Sequence, residues 1–418
     1  MKKYTIKRHL ENTLRNLIKQ YKCLILTGPR QVGKSTLLEE GVLPKNKKFN
    51  HVKLDNDNVI DFAKKDPLKF LKDNQTPLFI DEIQKAPRLF SYMKTIIDSS
   101  EKRGQFVVTG SEAFELMKGV SDHLSTRAVV VTMQSLSNSE INRMPNFEFV
   151  PNFDEFLKRK CPEISDEDIF NRIIRGSMPD LIKNKGLNPY NFYETYIKSL
   201  IIKDIKEDWV DIKDSSKFMK FLKVLAGQIG QIVNSNSLAK LAEIDQKTSE
   251  TWLNGLLAMG IIFFLHPYSP SVLTKTTRNP KLYFYDTGLA CHLANYQSSK
   301  TLINSEYAGH IFECYAISEI SKGFINGAKN NALYYVRRHM NDLEKSKEKE
   351  IDLIVEGEGG ILYPIEVKTN STPRFEYFNN TKILKNIKNK VGPMTLICTA
   401  PSASSLGEDK LVLPIHWI

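Results

Sequence analysis

The sequence predicts an α/β chain of several domains led by a parallel sheet, and three observations carry that reading. Short apolar runs of strand size (Tyr21–Thr27, Pro77–Ile80, Gln105–Thr109 and Ala128–Met133) alternate with helical stretches in the first third. This is the pattern of a sheet covered on both faces. The first run ends in a glycine-rich loop that opens a helix. The last third carries apolar strands with acids set into them, near Ile351–Val355 and Ile361–Lys368.

At 418 residues the chain exceeds one ordinary domain. Four segments and no internal repeat are expected: 1–140, 141–212, 213–294 and 295–418. An apolar share of 41% with 26% charged residues excludes a disordered or low-complexity chain. No apolar run reaches the roughly 18 residues of a membrane span. The start, MKKYTIKRHLENTLRNL, lacks an apolar signal region. A cytoplasmic protein without a membrane partner is the expectation. Five scattered cysteines (Cys23, Cys161, Cys291, Cys314, Cys398) form no CxxC pair, so buried thiols are expected rather than zinc or disulfides. Lys plus Arg is 59 against 48 Asp plus Glu, a net +11 that suits a nucleic-acid partner and equally suits simple solubility.

In the first segment, Gly28-Pro29-Arg30-Gln31-Val32-Gly33-Lys34-Ser35 matches the phosphate-loop pattern GxxxxGK(S/T), and Thr36 continues it into a helix. Backbone amides and the helix N-terminus face phosphate, Lys34 reaches the β- and γ-phosphates, and Ser35 binds Mg²⁺. Forty-seven residues beyond Lys34, the apolar strand Pro77–Ile80 ends in Asp81 and Glu82. Asp81 is the expected Mg²⁺ partner and Glu82 the base that activates water. No guanine-reading NKxD pattern is evident, so ATP with Mg²⁺ is the expected ligand. The next strand ends in Thr109-Gly110-Ser111, where Ser111 is a candidate γ-phosphate sensor or an ordinary polar strand end. Arg127, just before a buried strand, is a candidate finger toward a neighbouring subunit of a homo-oligomer, or a surface salt bridge.

The third segment reads as two short helices, from Ser237 and Thr248, stopped by Gly260 and followed by the hairpin IIFFLHPY and KLYFYDTG. That is a helix-turn-helix with a wing. Lys247, Ser249, Glu250 and Asn254 are expected on the outer face of the second helix. They are not strongly basic, so DNA contact and protein packing both remain open. Lys275 and Arg278 on the wing are the better phosphate contacts.

In the fourth segment Asp352 lies 14 residues before Glu366, a spacing suited to adjacent strands. Alternation along Ile361–Lys368 puts Glu366 and Lys368 on one face. This is the D…ExK core of restriction-endonuclease-like nucleases: two carboxylates for Mg²⁺ and a lysine to position water. Glu313 on the preceding helix is a candidate third acid. The alternative is a surface hairpin with a cross-strand Glu–Lys pair. A basic helix with Lys382, Lys385, Lys388 and Lys390 follows, suited to a phosphate backbone or to solvent.

Taken with GPRQVGKSTLL, LFIDEIQ, VVTGSEAFELMKGVSDHLSTR, YETYIKSLIIKDI, KLYFYDTGLACHL, GHIFECYAISEI and EIDLIVEGEGGILYPIEVKT, in that order, the chain resembles a known group. It is similar to the bacterial and archaeal AAA-type P-loop ATPases with a C-terminal PD-(D/E)xK nuclease-like domain of unknown function. The resemblance covers nearly the whole chain. It implies an AAA-type sheet with a helical lid over 141–212, then the winged helix and the α/β nuclease-like domain. Two places depart from the group: HLSTR stands for a usual SLAGR before Arg127, and Arg175-Gly176-Ser177-Met178-Pro179 stands for Gly-Gly-x-Pro at the lid. The expected function is an ATPase whose nucleotide state controls a DNA-acting nuclease-like domain. The alternative is an ATP-driven switch that binds nucleic acid or a partner without cutting.

Overall fold

The computed structural model describes residues 6–43, 49–111, 120–149, 151–159, 163–202, 215–269, 279–329, 332–340, 347–385 and 387–418. Cys161, Lys275 and Arg278 lie outside them, as do residues 341–346 of the charged run.

Strands β1 (Cys23–Thr27), β2 (Asn50–Lys53), β3 (Leu78–Asp81), β4 (Phe106–Gly110) and β5 (Ala128–Thr132) form one sheet in the order β2-β3-β4-β1-β5. Every neighbouring pair is parallel. The central strands are apolar on both sides because both faces are covered. Leu24 and Leu26 of β1 join a core that includes Phe170 and Tyr193 of the middle helices. Cys23 and Ile25 point the other way, into a core with Phe90 and Met93 of the helix Leu89–Asp98.

The helix Asp166–Arg175 is capped by Ser165, whose Oγ accepts the Asp168 amide at 3.1 Å. It ends at Gly176, with φ at +72°. A Cβ there would lie 2.0 Å from Tyr193 Oη and 2.6 Å from Asp286 Oδ1, so both conformation and space demand glycine. Helices Ser235–Ala242 and Gln246–Ala258 follow, capped by Asn234 and Asp245. Trp252 stands edge-on to Phe218 and Phe221 at 5.0 and 5.5 Å. Lys247, Glu250 and Asn254 face solvent as expected. Ser249 does not: it shares the buried stripe of Trp252, Leu253 and Leu256, as helical spacing requires.

A second sheet contains β6 (Ile262–Pro267), β7 (Lys281–Phe284), β8 (Leu333–Met340), β9 (Lys347–Glu356), β10 (Leu362–Val367), β11 (Met394–Cys398), β12 (Ser404–Ser405) and β13 (Lys410–Pro414). Its order is β12-β13-β11-β10-β9-β8-β6-β7. The β6–β7 hairpin, expected as a free wing, is therefore the edge of this larger sheet. His266 and Pro267 pair in parallel with Tyr334 and Tyr335 of β8, and the Tyr268 amide donates to Tyr335 O at 2.7 Å. A free hairpin would leave those groups unpaired at an open edge. The basic helix expected near Lys382 is instead a 3₁₀ stretch, Phe375–Leu384. Lys382, Lys385, Lys388 and Lys390 are exposed on and after it. Asn379, Asn380 and Thr381 are weak helix formers, and Asn380 is drawn to Glu366.

The helix Tyr307–Asn326 crosses beneath the second sheet, buried along most of its length. One apolar core runs from Leu10 through Leu24 and Phe221 to Ile418. The last residues are tied to the first sheet's outflow: Asn138 Nδ2 donates to Ile418 O at 2.8 Å. Among the described residues no helix is long and apolar enough to cross a membrane.

His416 is 3% exposed, and neither ring nitrogen has a partner. Burial, helped by Arg172, lowers its pKa from 6.5 to about 4. A histidine held neutral in the fold favours unfolding once the unfolded chain protonates. Stability should therefore fall as pH drops from about 6.5 to 4, by up to about 3 kcal/mol. Urea unfolding of wild type and His416→Leu across that window checks this; the variant should lose that part of the slope.

Candidate nucleotide site and acidic centre

The phosphate loop joins β1 to a helix that opens at Lys34–Thr36 and continues as a π turn over Leu37–Val42. Gly28, Gln31 and Gly33 have φ of +136°, +63° and +94°. At Gly28 a Cβ would lie 2.0 Å from Met133 O, so the loop closes tightly against the strand end beside it. Pro29 and Val32 are buried, Arg30, Gly33, Ser35 and Thr36 half-buried, and Gln31 exposed at the tip. The loop is held from outside. Arg8, itself buried, donates to Val32 O at 2.9 Å and Gln134 O at 2.7 Å, and Tyr196 Oη donates to Arg30 O at 3.4 Å.

Lys34 Nζ donates to Gly28 O at 2.8 Å and Pro29 O at 2.9 Å. Those carbonyls supply Lys34 with the partial negative charge that the phosphate oxygens of a bound nucleotide would supply. Ser35 Oγ donates to Asp81 Oδ1 at 2.8 Å, which brings together the hydroxyl and carboxylate that suit Mg²⁺. Thr109 Oγ1 also donates to Asp81 Oδ1 and accepts from the Glu82 amide at 3.2 Å. Glu82 sits in the left-handed region, φ +61°, which turns its side chain out of the strand. Its Oε2 accepts from Gln84 Nε2 and, at 3.4 Å, from Ser111 Oγ. The structure thus brings Lys34, Ser35, Asp81, Glu82 and Ser111 to the carboxyl ends of β1, β3 and β4. A cleft of about 590 Å³ adjoins the loop, lined among others by Ile6, Val32, Thr36, Leu136, Pro179 and Lys183. That is the size of a small-ligand site.

Arg127 makes the salt bridge that was one of its two readings. Ala128 pairs with Cys23 at the start of β1 and Thr132 with Thr27 at its end. Arg127 therefore lies at the opposite edge of the sheet from the loop, about 13 Å or more away at strand rise. There its Nε and Nη2 donate to Asp98, the latter at 3.2 Å. Within this chain it is a half-exposed salt bridge with Asp98, away from its own phosphate loop.

In the second sheet, β9 and β10 are antiparallel neighbours, and the helix Tyr307–Asn326 packs against β10 and β7. Asp352 Oδ2 accepts the Val367 amide at 2.9 Å and faces Lys368 Nζ at 3.5 Å. Lys368 Nζ is 2.8 Å from Glu366 Oε1, which Asn380 also reaches at 3.4 Å. Glu366 Oε2 is buried with no partner. Glu313 Oε1 accepts from Tyr283 Oη at 2.5 Å and Lys281 Nζ at 3.2 Å. Lys281 also pairs with Glu350. Burial, then the charge of Asp352, pushes Glu366 up to about 8 and Glu313 up to about 7. Burial would lower Lys368 and Lys281, but the surrounding carboxylates raise both.

Asp352, Glu366, Lys368 and Glu313 thus form one charged cluster. Among the described residues no group of three His, Cys, Asp or Glu side chains is arranged to hold a metal ion, so Glu313 does not join Asp352 and Glu366 as the candidate third acid. Lys368 lies between Asp352 and Glu366, and Lys281 with Tyr283 engages Glu313. The fit to a divalent ion rests on Asp352 and Glu366, whose free Oε2 is an unused hard donor.

Sequence reasoning missed Gln84, Lys281, Tyr283 and Glu350. Alternation in KLYFYD puts Lys281 and Tyr283 on one face, a usable signal. Nothing local says what that face meets.

A parallel sheet with a phosphate loop at the carboxyl end of one strand and adjacent acids at another defines a P-loop nucleotide-binding domain. A family model described as an AAA domain matches residues 20–142, the span that contains this whole sheet. That region is an AAA-type P-loop ATPase domain. Two models described as domains of unknown function, DUF8612 and DUF4143, match residues 166–300 and 308–418. Uncharacterized proteins of Mycobacterium tuberculosis and Mycobacterium bovis are each 24% identical over 363 residues, 86% of this chain and 73% of theirs. One of Methanocaldococcus jannaschii is 26% identical over 309 residues, 68% of this chain and 63% of its own. Among solved structures, the Aeropyrum pernix ORC2 protein in its ADP form has a TM-score of 0.31 at 12% identity, covering 73% of this chain and 96% of that one. A STAND protein of Pyrococcus horikoshii scores 0.25 at 12% identity, covering 79% and 46%. Scores of that size describe a slight likeness only.

Arg127→Ala should leave ATP affinity unchanged and alter stability by less than about 1 kcal/mol, the range of an exposed ion pair. Isothermal titration with ATP and a thermal melt check this.

Proposed function

We propose that the protein binds and hydrolyses ATP with Mg²⁺, and that its nucleotide state controls a DNA-acting, nuclease-like centre in its last segment. The observation that carries the first part is the shared network at the strand ends, Ser35–Asp81–Thr109–Glu82. Ser35 and Asp81 would hold Mg²⁺, which would neutralise phosphate charge. Lys34 would leave the loop carbonyls for phosphate oxygens. Glu82 would take a proton from the attacking water, oriented by Gln84 and Ser111. The base and ribose would occupy the cleft beside the loop.

For the second part, the support is the pairing of Glu366 and Lys368 on one face of β10 with Asp352 beside them. Asp352 and Glu366 would hold a divalent ion, and Lys368 would meet the charge of a phosphodiester. Exposed Lys382, Lys385, Lys388 and Lys390 would follow a DNA backbone. A second reading is an ATP-driven switch that binds nucleic acid or a partner without cutting. The pairing of Lys368 with both carboxylates favours it, since the cluster is partly neutralised from within.

Lys34→Ala should abolish ATP binding, and Glu82→Gln should keep binding but retain unhydrolysed ATP; filter binding of labelled ATP reads both. Normal binding by Lys34→Ala would show the site is elsewhere. Plasmid, linear and single-stranded DNA, incubated with Mg²⁺ or Mn²⁺ with and without ATP, separate the two readings. Under the first, cleavage depends on nucleotide and disappears in Asp352→Ala, while ATP hydrolysis persists. DNA binding without cleavage under every condition supports the second.

A further inference from the structure

We propose that Lys281 and Tyr283 are positioning residues of the acidic centre, and that the β6–β7 hairpin therefore completes a site that the last segment cannot build alone. The proposal rests on the reading of Asp352 and Glu366 as a divalent-cation site.

The argument starts with where these side chains come from. Lys281 and Tyr283 belong to β7, inside the segment matched at 166–300, whereas Glu313, Asp352 and Glu366 lie within 308–418. Alternation along β7 sends Lys281 and Tyr283 to the same face. There both donate to one oxygen, Glu313 Oε1. Lys281 is 3% exposed. Its ammonium is further held by Glu350 of β9 and lies 5.6 Å from the centre of the Tyr335 ring. Tyr283 is fully buried and stacks on Phe263 of β6 at 5.6 Å. Neither side chain has room to move with a substrate, so neither is a substrate-touching group. What they do is hold Glu313.

Glu313 needs holding. Lys281 ties it to Glu350 of β9, two residues before Asp352 on the same strand, and like charges in a buried cluster separate unless something fixes them. A second observation points to a ligand rather than a closed ion-pair network. Glu366 is 4% exposed, and its Oε2 has no hydrogen-bond partner, so the cluster keeps one hard oxygen donor uncommitted. Lys281, Lys368 and Arg337, which meets Glu350 at 3.6 Å, leave the four carboxylates of Glu313, Glu350, Asp352 and Glu366 one positive charge short, and a divalent cation supplies it. Glu313 stands behind Asp352 and Glu366 rather than among the ligands, and the loss of groups that orient metal-ligating carboxylates typically costs about 10–100-fold in metal affinity.

The test uses Mn²⁺ and the full-length, nucleotide-free chain, with free Mn²⁺ followed by electron paramagnetic resonance. The centre's own signal is the binding that Asp352→Asn removes. Lys281→Met and Glu313→Gln should each weaken that binding by about 10–100-fold. The double variant should be no weaker than the worse single one, because Lys281 acts through Glu313. Tyr283→Phe removes only a hydroxyl and should weaken binding in the same direction. It keeps the test informative if Lys281→Met fails to fold, which a thermal melt reports. Unchanged affinity in Tyr283→Phe and Lys281→Met, with Asp352-dependent binding intact, overturns the positioning role and leaves the metal reading standing. So does a fully additive loss in the double variant. If wild type shows no Asp352-dependent Mn²⁺ binding, the cation reading itself fails and takes this inference with it.

Discussion

Asp286 is 8% exposed, and its carboxylate takes hydrogen bonds from four donors. These are the Ser177 amide at 2.8 Å and hydroxyl at 3.0 Å, Tyr193 Oη at 2.7 Å, and the Leu289 amide at 2.9 Å. An ionised carboxylate taken from water without such donors is costly, so the four groups cannot drift independently. Gly176 and Gly288 approach each other beside it, since a Cβ on Gly288 would lie 2.8 Å from Gly176 Cα. Asp286 follows β7 directly. The strand that reaches Glu313 at one end is thus anchored at the other to Ser177 and to Tyr193 of the helix Pro189–Tyr196.

The junction around Asp286 is built from paired buried charges. Arg8 bonds Glu140 at 2.9 Å as well as the phosphate loop and the strand that leaves the sheet. Burial pushes the Glu140 carboxyl up, but Arg8 and the Ser137 and His9 amides outweigh it and hold it below the usual range. On the helix Tyr307–Asn326, Lys322 pairs with Glu319 at 2.8 Å and donates to Ser177 Oγ at 3.0 Å and Leu136 O at 3.2 Å. Glu319 in turn accepts the Asn138 amide at 2.6 Å. Removing one member of such a pair leaves a lone buried charge, which is why these contacts define a unique arrangement more than they add stability. The same helix carries Glu313, so both ends of the molecule are attached to one rigid rod.

The two sites use charge differently. At the phosphate loop, Lys34 is satisfied by carbonyls of its own loop. In the acidic centre, carboxylates outnumber lysines, and Glu366 and Glu313 are held in forms that resist ionisation. A cluster arranged for stability alone would not bury an unpartnered carboxylate oxygen.

The sequence by itself determined what depends on neighbouring residues. The phosphate loop was legible because left-handed turns at Gly28 and Gly33 and the amides that follow are local, and only glycine meets that geometry cheaply. The shared face of Glu366 and Lys368 was legible because alternation is a property of one strand. Tertiary structure decided everything that depends on pairing between distant strands. The hairpin became a sheet edge through a two-residue match between β6 and β8, which no local pattern encodes. Lys281 and Tyr283 reached Glu313 only because that match was made. Arg127 fell at the far edge of its sheet because β5 runs parallel to β1, and register, not spacing along the chain, sets which end of a strand a residue occupies.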